Sequence, residues 1–114
     1  MIAVYIASPY TAFPPDKETV LFNVNYSFDI ALQLIDLKLD LAPYCPLYSH
    51  YLEMREAHSY KLWMELDTEW VMRCDCLLRV GGPSVGADEE VELAKSANIP
   101  VFYSVNELAN YYSK

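Results

Sequence analysis

"CDCLLRVGGPSVGADEEVELAKSANIPVFYS", residues 74–104, is the stretch whose reading decides the fold. It opens with CDCLLRV, a short apolar run of the kind found in a strand buried on both faces. GGPS interrupts that run with a sharp loop, and helical spacing follows over 85–97. IPVFYS is then a second buried run. A strand, a helix and a strand in so short a space imply a right-handed crossover between parallel strands.

The same alternation continues outward. IAVYIA at 2–7 is another doubly buried strand, stopping at SPY. FPPDKET supplies a loop with Asp16 as an N-cap, after which Val20, Val24, Phe28, Ala31 and Ile35 recur at helical spacing over about 17–38. LAPYCP, broken by Pro43 and Pro46, predicts a shorter strand, and LYSHYLEMREAH has no clear period. Helical spacing returns from a cap at Ser59 to Arg73, and NELANYYSK predicts a short last helix. The expected fold is α/β, a small Rossmann-like domain with flavodoxin-like layering. Its three layers surround a mainly parallel sheet of about four to five strands, and residues 1–114 form one domain. In such sheets ligands sit beyond the carboxyl ends of the strands, which selects SPYTAF and GGPSVGAD as the site.

Composition narrows the partners. Of the 114 residues 54% are hydrophobic, enough for a true core. Eight basic against 16 acidic residues give a net charge of −8, which repels a nucleic-acid backbone and an anionic membrane surface, and no basic patch compensates. A small anion held by backbone N–H groups remains compatible. Cys45, Cys74 and Cys76 cannot all pair internally, and Cys74 and Cys76 are too close for a usual structural disulfide, so a reducing, cytoplasmic setting is expected. The opening residues make a poor signal peptide, and no apolar run approaches the ~20 residues of a membrane span. Cys74-x-Cys76 with His50 and His58 lacks the four well-spaced ligands of structural zinc, so neither metal nor cofactor is expected. His50 reads as a loop hydrogen-bonder.

Four carboxylates crowd GADEEVE, at the start of the helix over 85–97, where negative charge is welcome because the unpaired N–H groups are positive. Solvated decoration is therefore the plain reading. A helical wheel sorts them: Asp88 and Glu92 lie beside Lys95 and Ser96, whereas Glu90 shares a side with Ala87, Ala94 and Ala97, the small residues that press against a sheet. In WMELDTEWVMRC, Glu65 and Glu69 have Lys61 and Arg73 at four-residue spacing, but Asp67 lies with Trp63, Trp70 and Cys74. A carboxylate among aromatics costs free energy unless hydrogen-bonded, and such costs cluster at functional sites. Each acid alone could simply cap a loop. Two together, one ionised and one with a raised pKa, form the pattern that cleaves glycosidic bonds. Arg79, at the carboxyl end of its strand, is the cation nearest this pocket and suits a phosphate or a base carbonyl; a rim salt bridge to one of the many acids has equal standing. Asn23 lies where the first helix could contact a ligand, and Tyr10 of the first loop joins the substrate-binding set.

VYIASPY, ELDTEWVMRCDCLLRV and PSVGADEEVELAKSANIPVF together resemble the nucleoside 2-deoxyribosyltransferase-like proteins, which include 2′-deoxynucleoside 5′-monophosphate N-hydrolases and small, often phage-borne relatives. The three motifs occur in the family's order over nearly the whole chain. By motif position the resemblance implies that Glu90 is the nucleophile attacking C1′ of a 2-deoxyribosyl unit to give a covalent sugar ester. Asp67 then assists the departing base. Tyr5 and Ser8 fall on positions that line the sugar pocket in relatives, and Ser84 with the N–H groups near Gly86 fits a 5′-phosphate or 5′-hydroxyl. The implied partner is a small-molecule nucleoside or nucleotide, and the implied assembly a homodimer or larger, with Tyr10, Tyr44, Tyr48 and Tyr51 available for its surface. Hydrolysis and transfer both remain open. The rival from another class is a non-catalytic module that binds a nucleotide in the same pocket.

Overall fold

The computed structural model describes residues 1–11 and 16–113. The chain runs β1 (Ile2–Ala7), α1 (Lys17–Asp36), β2 (Leu41–Tyr44), a 3-10 turn (Pro46–Tyr48), α2 (Ser49–Arg55), α3 (Tyr60–Arg73), β3 (Cys76–Arg79), α4 (Val85–Ser96), β4 (Val101–Phe102) and α5 (Val105–Tyr112). Among the described residues the four strands form one sheet in the order β2-β1-β3-β4. Every pairing is parallel, with Ile2 opposite Leu41, Val4 opposite Cys76 and Leu77 opposite Val101. The three-layer α/β expectation is met. The part of the first loop at residues 12–15 lies outside the described residues.

Period-2 alternation divides the core. Val4, Ile6, Cys76 and Leu78 face one way and pack with Ile30 and Leu34 of α1 and Leu108 of α5. Tyr5, Ala7 and Leu77 face the other way, against Val71 of α3 and Ala87, Val91 and Ala94 of α4. Cys74 packs against this second cluster and Cys76 belongs to the first, so the two thiols of the C-x-C pair diverge across the sheet. No helix among the described residues is long and apolar enough to cross a membrane.

Four helices start on a side-chain cap: Asp16, Ser59, Ser84 and Ser104 accept the N–H of Thr19, Leu62, Ala87 and Glu107 respectively. Each such cap contributes about 1 kcal/mol. The face that α1 buries differs from the expected one: Val24, Ser27, Ile30 and Leu34 are covered, while Ile35 is 49% exposed. Ser27 makes this possible by donating its hydroxyl to Val24 O at 2.7 Å, so a polar residue sits on the core side without an unmet hydrogen bond. α1 ends at Asp36, two residues before Lys38 takes a left-handed φ of 58°.

Candidate active site

In the order β2-β1-β3-β4 the strand succession switches sides between β1 and β3, and the crevice beyond their carboxyl ends is where such sheets bind ligands. Gly81 shapes this crevice. Its φ is +87°, and a Cβ there would stand 2.6 Å from Pro9 Cδ, so only glycine lets the β3–α4 turn lie against the loop leaving β1.

Glu90 and Asp67 project from neighbouring helices, α4 and α3, on the same side of the sheet. Glu90 is buried, and the fully buried Tyr5 hydroxyl of β1 donates to its Oε2. Burial raises the Glu90 carboxyl from its ordinary 4.5 to about 8, the Tyr5 bond opposes that rise, the Asp67 charge adds to it, and Arg79 pulls it back. Asp67, half-buried, is raised to about 6 by desolvation alone. The Tyr5 phenol is pushed far up, first by burial and then by the charges of Glu90 and Asp67. Tyr60, at the start of α3, is raised by burial and by Glu89, Glu90 and Asp67. These acids and phenols therefore form one electrostatic neighbourhood.

Asp67 lines a cavity of about 120 Å³ with Tyr44, Tyr48, Leu52, Trp63 and Trp70. Tyr44 stacks on Trp70 with ring centroids 4.9 Å apart at 29°, and contacts Tyr5 at 5.8 Å. Glu90 is thus joined to the cavity through the Tyr5 and Tyr44 rings. Sequence reading kept Tyr44 for an oligomer surface and passed over its place in this wall. The signal that finds it is register: Tyr44 is the parallel partner of Tyr5, and in-register partners share a face. A wider, open hollow of about 630 Å³ lies between Tyr26 and Ile30 of α1, the β3–α4 turn and Tyr103–Val105; Arg79 and Asp88 are in its wall, and Asp67 and Glu90 are not.

The remaining sequence-selected residues divide into two groups. Ser8 is buried at the end of β1, and its Oγ has no hydrogen-bond partner among the described residues. Ser84 Oγ accepts Ala87 N at 3.2 Å as the α4 cap, and Gly86 in the first turn faces Tyr60, whose hydroxyl lies 3.7 Å from where a Cβ would stand. Tyr10 and Asn23 hold each other: Asn23 Nδ2 donates to Tyr10 O at 3.1 Å, and the Tyr10 hydroxyl meets His50 Nδ1 at 2.8 Å. His50, expected in a loop, lies instead in the first turn of α2, from which its bond to Tyr10 fastens the first loop to that helix. Arg79 donates from Nε to Asp88 Oδ1 at 3.0 Å, from Nη1 to Val80 O at 2.6 Å and from Nη2 to Gly82 O at 2.8 Å.

Solved structures similar to this one include the following two. A 2-deoxyribosyltransferase from the psychrotolerant bacterium Bacillus psychrosaccharolyticus superposes with a TM-score of 0.60 over 87% of this chain and 69% of its own, at 19% identity. A 2-deoxyribosyltransferase from Leishmania mexicana gives 0.62 over 89% of this chain and 62% of its own, at 16% identity. This chain has the 2-deoxyribosyltransferase fold. It spans less than two thirds of the Leishmania protein. No protein-family model matches the chain, and no curated protein matches it in sequence. At these identities the likeness is one of fold, and chemistry has to be argued from the acids themselves.

Proposed function

We propose that this protein is an enzyme that cleaves or exchanges the N-glycosidic bond of a 2′-deoxynucleoside or its 5′-monophosphate. The observation that carries the reading is geometric: a buried glutamate bonded by a buried tyrosine, with a half-buried aspartate on the neighbouring helix. Glu90, when ionised, attacks C1′ as the bond to the base breaks, giving a deoxyribosyl ester. Asp67, when protonated, gives its proton to the leaving base. The Tyr5 hydroxyl holds the attacking carboxylate in one orientation, which removes rotational freedom before the reaction. Water or a second base then takes the sugar from Glu90. Ser8, whose hydroxyl has no partner among the described residues, suits the sugar, and the N–H groups of the first α4 turn near Ser84 and Gly86 suit its 5′ end. The Bacillus protein is described as a biocatalyst for nucleoside synthesis, which agrees with this substrate class.

Assembly as a homodimer or larger is part of the same proposal. Tyr48, Tyr51, Leu52 and Met54 are 43–71% exposed beside the open cavity, and a monomeric mass in light scattering would remove the idea.

One observation favours the rival reading, a nucleotide-binding module. With its carboxyl raised to about 8, Glu90 is largely protonated at neutral pH and is then a donor in place of a nucleophile. Incubation with a panel of deoxynucleosides and their 5′-monophosphates, followed by chromatography for free base, separates the two. Base release that Glu90→Gln abolishes, at least about 10³-fold, is the expected result. Binding without release in the parent protein would make it a module. Adding an acceptor base to the same reaction distinguishes transfer from hydrolysis.

A further inference from the structure

We infer that Arg79 is a positioning residue of this site: from inside the fold it ties the end of β3, the following turn and the start of α4 into one unit, and through α4 sets where Glu90 stands.

The geometry is that of an internal staple. The Arg79 side chain is only 10% exposed, although it carries a full charge. Its three hydrogen bonds reach Val80 O at the strand end, Gly82 O in the turn and Asp88 Oδ1 in the first turn of α4. A buried cation is tolerated when its donors are met, and here each nitrogen of the guanidinium has a protein acceptor. The planar fork fixes the directions of these bonds, so the three acceptors are held relative to one another. Asp88 is two residues before Glu90 on the same helix, so movement of the turn is passed directly to the nucleophile. Gly81, in the middle of the stapled turn, lies against Pro9, which leaves the turn little room to adjust by itself.

Charge adds to position. The groups acting on Glu90 come from every element around it: Tyr5 from β1, Asp67 and Tyr60 from α3, Glu89 from α4 and Arg79 from β3. Among these Arg79 is the one cation, and it favours the ionised carboxylate against burial and two other acids. Arg79 therefore serves Glu90 and leaves the substrate's own charge to other groups.

The test has two arms, of which the kinetic arm rests on the proposed function and the titration arm does not. Protein labelled with ¹³C at the glutamate side-chain carboxyl is titrated by NMR, with the Glu90 signal assigned by its loss in Glu90→Gln. Arg79→Gln is expected to move the Glu90 midpoint upward by about half a pH unit or more. Arg79→Lys, which keeps the charge but not the fork, is expected to leave the midpoint nearly in place. It should speed amide exchange over residues 81–86 and lower kcat about tenfold with KM within about twofold. If Arg79→Gln does not fold, Arg79→Lys decides alone: unchanged exchange over the turn overturns the proposal. An unmoved Glu90 midpoint in a folded Arg79→Gln overturns it too, as does a rise in KM confined to 5′-monophosphates, which would make Arg79 a phosphate ligand. Absence of base release from the unsubstituted protein would sink the enzymatic reading and leave the titration and exchange results standing.

Discussion

Glu90, the nucleophile of the proposed reaction, also bears on stability. Its carboxyl is raised from 4.5 to about 8, chiefly by burial, so the folded protein resists ionising a group that the unfolded chain ionises readily. Below about pH 4.5 the residue is neutral in both states and costs nothing. As pH rises toward 8 the unfolded chain gains by releasing this proton, and folding stability falls until the folded state ionises as well. Glu90→Gln keeps the shape and can still accept from Tyr5, but never ionises. The variant is therefore expected to be more stable than the parent at pH 9, by roughly 2–4 kcal/mol, with the advantage vanishing near pH 4. Calorimetric melting at pH 4, 7 and 9 reads this as a Tm difference that is absent at pH 4, already present in large part at pH 7 and about 5 °C or more at pH 9. Equal melting temperatures across the series would mean that Glu90 is not strained by its burial.

Elements were legible wherever local chemistry matched the final contacts. β1 could be bounded at 2–7 because a parallel strand covered on both faces needs an unbroken apolar run, and Asp16 and Ser59 announced their helices. Glu90 and Asp67 were legible because an acid on a packing face conflicts with its own helix. The buried face of α1 was not, since Ser27 looks polar until its bond to Val24 O is seen. α2, with seven residues, is too short to establish a period. The Tyr44–Trp70 stack joins distant elements, and two acceptors of Arg79 are backbone carbonyls that no residue type advertises. The β3–α4 turn offers a direct check on this scale. Gly81→Ala forces a side chain into a left-handed φ and within 2.6 Å of Pro9, so a loss of about 2–3 kcal/mol is expected in urea unfolding. Gly82, where an added Cβ meets nothing within 4 Å, is the control, and Gly82→Ala should stay within about 0.5 kcal/mol. Similar losses at both positions would show that general loop rigidity, and not the Pro9 contact, sets the turn.

At the scale of the whole molecule, charge bears on which substrate reaches the crevice. Sixteen acids and eight bases leave −8 on a body measuring 42 × 27 × 24 Å, so an approaching anion is repelled over much of its path. Arg79, the cation acting on Glu90, is already bound by three protein acceptors. A neutral deoxynucleoside meets none of this repulsion, whereas its 5′-monophosphate carries almost two negative charges. The Debye length contracts from about 30 Å at 0.01 M salt to about 8 Å at 0.15 M, which removes most of the long-range term and leaves contacts inside the site little changed. Raising salt over that range is therefore expected to increase kcat/KM for the monophosphate about three- to tenfold relative to the nucleoside. Parallel assays of the two substrates across a salt series measure this ratio directly. A ratio that falls with salt would mean that the phosphate finds an exposed cation, and the 5′ end of the substrate would then have to be placed beside one of the surface lysines or arginines in place of the N–H groups that open α4.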